Sequence, residues 1–152
     1  MMPSWDEGAA RSLMEPWSAG EGGLLPALHA LVEAYGYIDD RAIPLVADVF
    51  NLSRAEVTGV VSFYHDFRRE PPGRHVVKVC RAEACQAMGC ERLVAELEAR
   101  LGTPVDGTSA DGAVTLETVY CLGNCALSPA ALVDGKLHGR VDTASLCAKV
   151  GR

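Results

Sequence analysis

At 152 residues, 49% hydrophobic and 22% charged, the chain can build one good core or two small layers and is too apolar for a disordered tail. A net charge of −6 argues against a phosphate-tracking surface and so against nucleic acid as a partner. No apolar run approaches the ~18 residues of a membrane span, so direct membrane insertion is not expected. The opening residues, MMPSWDEGAARSL, show neither the basic and apolar regions of an export signal nor the Arg-rich character of a transit peptide, which predicts cytoplasmic residence.

The first part of the chain reads as helices. Residues 1–20 hold Trp5, Leu13, Met14 and Trp17 on an amphipathic segment that Pro16 is expected to interrupt. In Leu24 to Tyr35 the apolar positions Leu24, Leu28, Leu31, Val32 and Tyr35 share one face at a 3.6-residue period. A further helix follows Asp40, with Ile43, Val46, Ala47 and Phe50 inward and Pro44 tolerated in the first turn, where N–H groups lack intrahelical partners. Ser53 and Glu56 form an S-x-x-E capping box that starts another, with Val57, Val60, Val61 and Tyr64 inward.

Arg69-Glu70-Pro71-Pro72-Gly73 cannot continue a helix, because two prolines remove donors and push the preceding residue toward extended geometry. This places a boundary between a helical domain, 1–70, and a second domain, 71–152. There the pattern predicts a strand from His75 to Cys80 and a helix from Gln86 to Leu101, with Leu93, Val94, Leu97 and Leu101 inward and Gly102 as its stop. Val114 to Tyr120 is expected to alternate as a second strand. Ala130–Val133 and Lys136–Gly139 form a hairpin through Asp134-Gly135, a pair suited to positive φ. Asp142 or Thr143 caps a last helix. The fold class is therefore α+β: an N-terminal helical bundle followed by an α/β domain whose β-α-β-β-β-α order is thioredoxin-like.

Six cysteines without an export signal point to metal or redox chemistry rather than disulfides. Four of them form the pairs Cys80/Cys85, C-x4-C, and Cys121/Cys125, C-x3-C. Each pair begins where a strand ends, and loops leaving the carboxyl ends of neighbouring parallel strands share one crevice. Four converging thiolates repel unless a cation lies among them, and such ligands suit zinc or an iron-sulfur cluster. Structural zinc favours tighter C-x2-C clasps, whereas these wider spacings favour two irons, one per pair. Gly123 lets the second loop turn its N–H groups toward the sulfurs, where they stabilise negative charge.

Cys90 and Cys147 fall inside predicted helices and read as buried small hydrophobes rather than ligands. His65 and His75 read as solvated or structural, and Trp5 and Trp17 as core or interface aromatics. At the Ser128–Pro129 bond, ahead of the hairpin strand, a cis peptide is possible, trans being the commoner state for any X-Pro. No catalytic residues of a hydrolytic or acid–base kind and no G-x-G-x-x-G loop are found.

The run GYIDDRAIPLVADVFNLSRAEVTGVVSFYHDFRREPPGRHVVKVC, the C-x4-C pair and CLGNCALSPA together resemble the thioredoxin-like 2Fe-2S subunits of respiratory complex I, bidirectional hydrogenases and NAD-dependent formate dehydrogenases. The resemblance spans roughly residues 20 to 150. It implies one 2Fe-2S cluster on Cys80, Cys85, Cys121 and Cys125 and electron transfer rather than substrate conversion within this chain.

The strings CRAEACQAMG and YCLGNCALSPAA look most like the gamma subunit of the molybdenum-containing formate dehydrogenase. That likeness implies a cytoplasmic complex oxidising formate to carbon dioxide. The direct partner would be an FMN- and NAD-binding beta subunit. An alpha subunit would carry the molybdenum cofactor and further iron-sulfur clusters. The equivalent subunit of complex I or of an NAD-linked hydrogenase is the alternative, and a structural zinc module a remote one.

Overall fold

A computed structural model describes residues 4–152. It separates into two units, one ending at Pro71 and the other starting at Pro72.

The first unit consists of α1 (Glu7–Ser18), α2 (Leu24–Tyr35), α3 (Ala42–Phe50) and α4 (Arg54–Phe63). Their ends follow from local chemistry. Asp6 accepts the Ala9 N–H at 2.7 Å and starts α1, while Gly36, at φ 81°, and Asn51, at φ 51°, end α2 and α3 in the left-handed region. Ser53 and Glu56 make the expected reciprocal cap on α4. Ala10, Met14, Leu28, Leu31, Val46, Val57 and Val61 form the core.

Two expectations fail here. Pro16 does not interrupt α1, which continues to Ser18. Both Pro16 and Ser12, whose carbonyl loses its donor, are exposed, so water can satisfy that oxygen. Leu13 and Trp17 accordingly stay largely outside, and Trp5, ahead of the helix, rests on Tyr35 at a ring distance of 5.3 Å. Tyr64 is exposed rather than inward because α4 ends at Phe63 and Tyr64 is already extended, at φ −96° and ψ 120°. Phe67 is buried instead, with Tyr64 edge-on to it at 5.6 Å.

The second unit contains β1 (His75–Cys80), α5 (Glu83–Ala87), α6 (Cys90–Leu101), β2 (Gly107–Thr108), β3 (Val114–Val119), a 3-10 turn (Cys125–Leu127), β4 (Ala130–Val133), β5 (Lys136–Gly139) and α7 (Thr143–Lys149). The sheet order is β2-β3-β1-β4-β5. β1 and β3 are parallel and every other pair is antiparallel. Val77, Val79, Leu116 and Ala131 from the sheet meet Leu93, Val94, Leu97 and Leu146 from α6 and α7. The result is α+β: helices, then a mixed five-stranded sheet with its own helices.

The hairpin turns through Asp134 at φ 50° and Gly135 at φ 78°, and Asp142 caps α7 by accepting the Ser145 N–H at 2.7 Å. The helix expected from Gln86 to Leu101 is in fact two, broken at Gly89, whose φ of 86° no right-handed helix accommodates. β3 does not alternate, because Val114, Thr115 and Leu116 are all buried. Thr115 is satisfied there by the Gly73 N–H and the Thr108 hydroxyl, each at 2.7 Å, which links it to β2, a strand too short to announce itself in the sequence. Ser128–Pro129 is cis.

Candidate functional site

Cys80 is the last residue of β1, and its parallel partner, Val119, is the last of β3. The chain leaves both strands at the same edge. From β1 it passes through Arg81 and Ala82 into α5, whose single turn and a half carries Cys85. From β3 it passes through exposed Tyr120 to Cys121, which adopts φ 78°, and Gly123, at φ 72°, before the 3-10 turn begins at Cys125. Two left-handed residues in three fold this loop back on itself.

The pairs differ in exposure. Cys80 and Cys85 are buried, at 3% and 2% exposure, whereas Cys121 and Cys125 are open to solvent. None of the cysteines is disulfide-bonded. The Sγ atoms of Cys121 and Cys125 lie 3.9 Å apart, and the Gly123 N–H points to the Cys121 sulfur at 3.4 Å. Cys80 and Cys85 are within thiol hydrogen-bond reach of one another. The pairs also interlock, because the backbone N–H groups of Cys121 and Leu122 are directed at the Cys80 sulfur along with that of Ala82.

These donors govern ionisation. Burial opposes a charge on Cys80, but the N–H groups of Ala82, Cys121 and Leu122 and the Cys85 thiol outweigh it and hold its pKa below the ordinary thiol value. Burial pushes Cys85 up and the adjoining Cys80 adds to that, despite an N–H from Ala130. Cys125 is raised by its bond to Cys121 and by that neighbour's charge. The sulfurs thus compete for ionisation, a conflict that bound cations relieve.

The donor set fits a two-iron cluster. It offers four thiols in two pairs, soft ligands for iron, with backbone N–H groups already turned toward the sulfurs. Among the described residues, no three His, Cys, Asp or Glu side chains converge on one metal position.

Of the other residues singled out in the sequence, Cys147 is buried in the sheet core, whereas Cys90 is buried directly beside Cys80 and Cys85. Burial raises the Cys90 pKa, and Glu91 adds to it. His75 is tied to Asp134 at 2.8 Å, a structural bond between β1 and the hairpin turn, and His65 is exposed. Sequence reasoning missed Ala82, Leu122 and Ala130, because a backbone donor leaves no side-chain signature. It also missed Arg81 and Glu91, whose guanidinium and carboxylate meet through two bonds of 2.9 and 2.6 Å next to the site.

Comparison with known proteins matches residues 10–151 to the family described as thioredoxin-like 2Fe-2S ferredoxin. An NADH-quinone oxidoreductase subunit of Pseudomonas aeruginosa is 38% identical over 117 residues, which cover 77% of this chain and 70% of that one. The NADP-reducing hydrogenase subunit HndA of Solidesulfovibrio fructosivorans is 34% identical over 121 residues, covering 80% and 71%.

A crystal structure of an NAD+-reducing NiFe-hydrogenase in the air-oxidized state superposes with a TM-score of 0.74 at 27% identity, covering 90% of this chain and 23% of that one. The H2-reduced state gives 0.70 at 30% identity, covering 85% and 22%. This chain therefore spans about a quarter of those hydrogenase chains. Among the described residues no helix is long and apolar enough to cross a membrane. With nearly its whole length matched, the chain belongs to the thioredoxin-like 2Fe-2S ferredoxin family and carries one 2Fe-2S cluster.

Proposed function

We propose that the chain is the electron-transfer subunit of an NAD-linked redox complex, holding its cluster on Cys80, Cys85, Cys121 and Cys125. The observation that best supports this is the meeting of both cysteine pairs at one sheet edge, with Cys121 and Leu122 directing N–H groups at the Cys80 sulfur. The cluster supplies one-electron exchange when bound. The chain's own residues hold the sulfurs in place, bury the Cys80/Cys85 side and present N–H dipoles to the negative charge that grows on reduction.

The relatives named above support a complex I or hydrogenase type of assembly, and the resemblance of the sequence implies a flavin- and NAD-binding subunit as the direct partner. The gamma subunit of a molybdenum-containing formate dehydrogenase is a finer reading, and its support is confined to the strings CRAEACQAMG and YCLGNCALSPAA. Cytoplasmic residence and two domains, 1–70 and 71–152, complete the proposal.

Iron and sulfide analysis with an EPR spectrum of the dithionite-reduced chain tests the site: about two irons, two sulfides and a spin-half signal are expected. About one zinc and no signal, from protein prepared without oxygen, would overturn it. Metal analysis of the complex captured through a tag on this chain separates the assemblies. Nickel indicates a hydrogenase, molybdenum a formate dehydrogenase, and neither metal alongside quinone reductase activity complex I.

A further inference from the structure

Arg81 follows Cys80 directly and bonds to the end of β3, to α5 and to α6. Its backbone N–H donates to the Val119 carbonyl at 2.8 Å, which continues the β1–β3 ladder one step beyond the strands and fixes the start of the Cys121 loop. Its own carbonyl accepts from the Gln86 side chain at 3.0 Å, on the residue next to Cys85 in α5. Its guanidinium forks onto the Glu91 carboxylate in the first turn of α6, with Nε at 2.9 Å and Nη2 at 2.6 Å. Only Arg can make that planar two-point contact.

Glu91 in turn faces the buried Cys90 thiol, 3.9 Å from Sγ to Oε1, and Cys90 packs with Cys80 and Cys85. Arg81 and Glu91 are thus an oriented charge pair at the edge of the site, with side chains 30% and 53% exposed. The Arg81–Glu91 side-chain pair lies outside the apolar core of the sheet.

We infer that Arg81, clamped by Glu91, is a positioning residue of the cluster. Its side chain ties the residue after Cys80 to the first turn of α6, and it holds a partly neutralised positive charge near Cys90, which packs with Cys80 and Cys85. The inference rests on the four-cysteine reading above. Two consequences differ in kind. Loss of the tie loosens iron whichever partner is removed. Loss of charge acts by sign, because a nearby cation favours the reduced, more negative cluster and a nearby anion disfavours it.

The experiment uses the full-length chain and the variants Arg81→Gln, Arg81→Lys, Glu91→Gln and Arg92→Gln. Arg92 is an exposed control on the same helix, paired only loosely with Glu96 at 3.6 Å. The midpoint potential is read by EPR-monitored redox titration, and iron retention by release to a chelator. The expected result is a lower potential for Arg81→Gln, a higher one for Glu91→Gln, and little change for Arg92→Gln. Iron retention weakens about tenfold in all three clamp variants, the scale set by supporting ligands elsewhere.

Shifts of the same sign in Arg81→Gln and Glu91→Gln, or none beyond the Arg92→Gln control, overturn the inference. If Arg81→Gln does not assemble a cluster, Glu91→Gln decides alone: a rise supports the inference, and a fall or no shift sinks it. A wild-type chain without iron and sulfide would instead sink the four-cysteine reading.

Discussion

Cys80 ends β1 opposite Val119, the last residue of its parallel neighbour β3, so the loop that leaves one strand lies beside the cysteine that ends the other, and its backbone N–H groups at Cys121 and Leu122 help hold the Cys80 thiol below its ordinary pKa. The two cysteine pairs therefore meet at one sheet edge, although 35 residues separate Cys85 from Cys121 along the chain.

Replacing the cysteines one at a time should divide them into two classes. Serine at Cys80, Cys85, Cys121 or Cys125 removes a soft ligand and is expected to abolish or visibly change the reduced EPR signal. Cys147→Ala, deep in the sheet core, should leave that signal intact while costing about 1 kcal/mol through a small cavity. Thermal melts and spectra of the same five proteins check both halves. An unchanged spectrum in any of the four serine variants would remove that cysteine from the set.

The helix cap at Ser53 offers a test on the first unit alone. Its hydroxyl accepts the Glu56 N–H at 3.2 Å while the Glu56 carboxylate receives the Ser53 N–H at 2.8 Å. Ser53→Ala should destabilise α4 by about 1 kcal/mol, read as a lower denaturation midpoint with an unaltered slope. The cluster spectrum should not move.

Much of this was legible beforehand, for reasons particular residues make plain. Ser53, Asp134-Gly135 and Asp142 act through contacts within a few residues, so their spacing carried the structure directly. Cys80 and Cys121 could be read as lying at or just beyond strand ends because the apolar runs before them mark the strands. What escaped depended on distant partners. Thr115 is buried only because Gly73 and Thr108 satisfy it, Tyr64 yields its place to Phe67, and Arg81 meets Glu91 across a break at Gly89. No local pattern encodes such pairings.

Acid should weaken both units, through carboxylates that the fold holds ionised. Arg41 bonds the Asp39 carboxylate through its side chain and, with its backbone N–H and the Tyr37 hydroxyl, keeps it well below the usual carboxylate range despite burial. Asp111 is lowered to about 2, chiefly by the Ser109 hydroxyl and the Ala113 N–H. A carboxylate lowered on folding contributes stability that is complete above its unfolded pKa of about 4 and is lost as pH falls through the folded value. Denaturant titrations at falling pH should therefore show stability declining below about pH 4. Asp39→Asn should flatten that decline and cost about 1 kcal/mol at neutral pH, a modest figure because Arg41 is largely exposed.

Gly139 supplies the most pointed test of how the fold reaches the site. It ends β5, opposite Ala130, and a Cβ built there would lie 2.6 Å from the Leu127 Cβ, 2.8 Å from the Asn124 Nδ2 and 2.9 Å from the Leu127 carbonyl oxygen. Asn124 and Leu127 flank Cys125 in the second cysteine loop, and the Leu127 carbonyl already accepts the Arg140 N–H, so the backbone has little room to retreat. Gly139→Ala must then push the turn that begins at Cys125 while leaving every cysteine in place. The expected outcome is a folded protein with a shifted or broadened EPR signal and faster iron release. Gly112→Ala serves as the control: at φ 64° it is strained but meets nothing within 4 Å, so it should lower stability without touching the signal. An unaltered spectrum in Gly139→Ala would mean that Cys125 does not hold the cluster from the position its turn gives it.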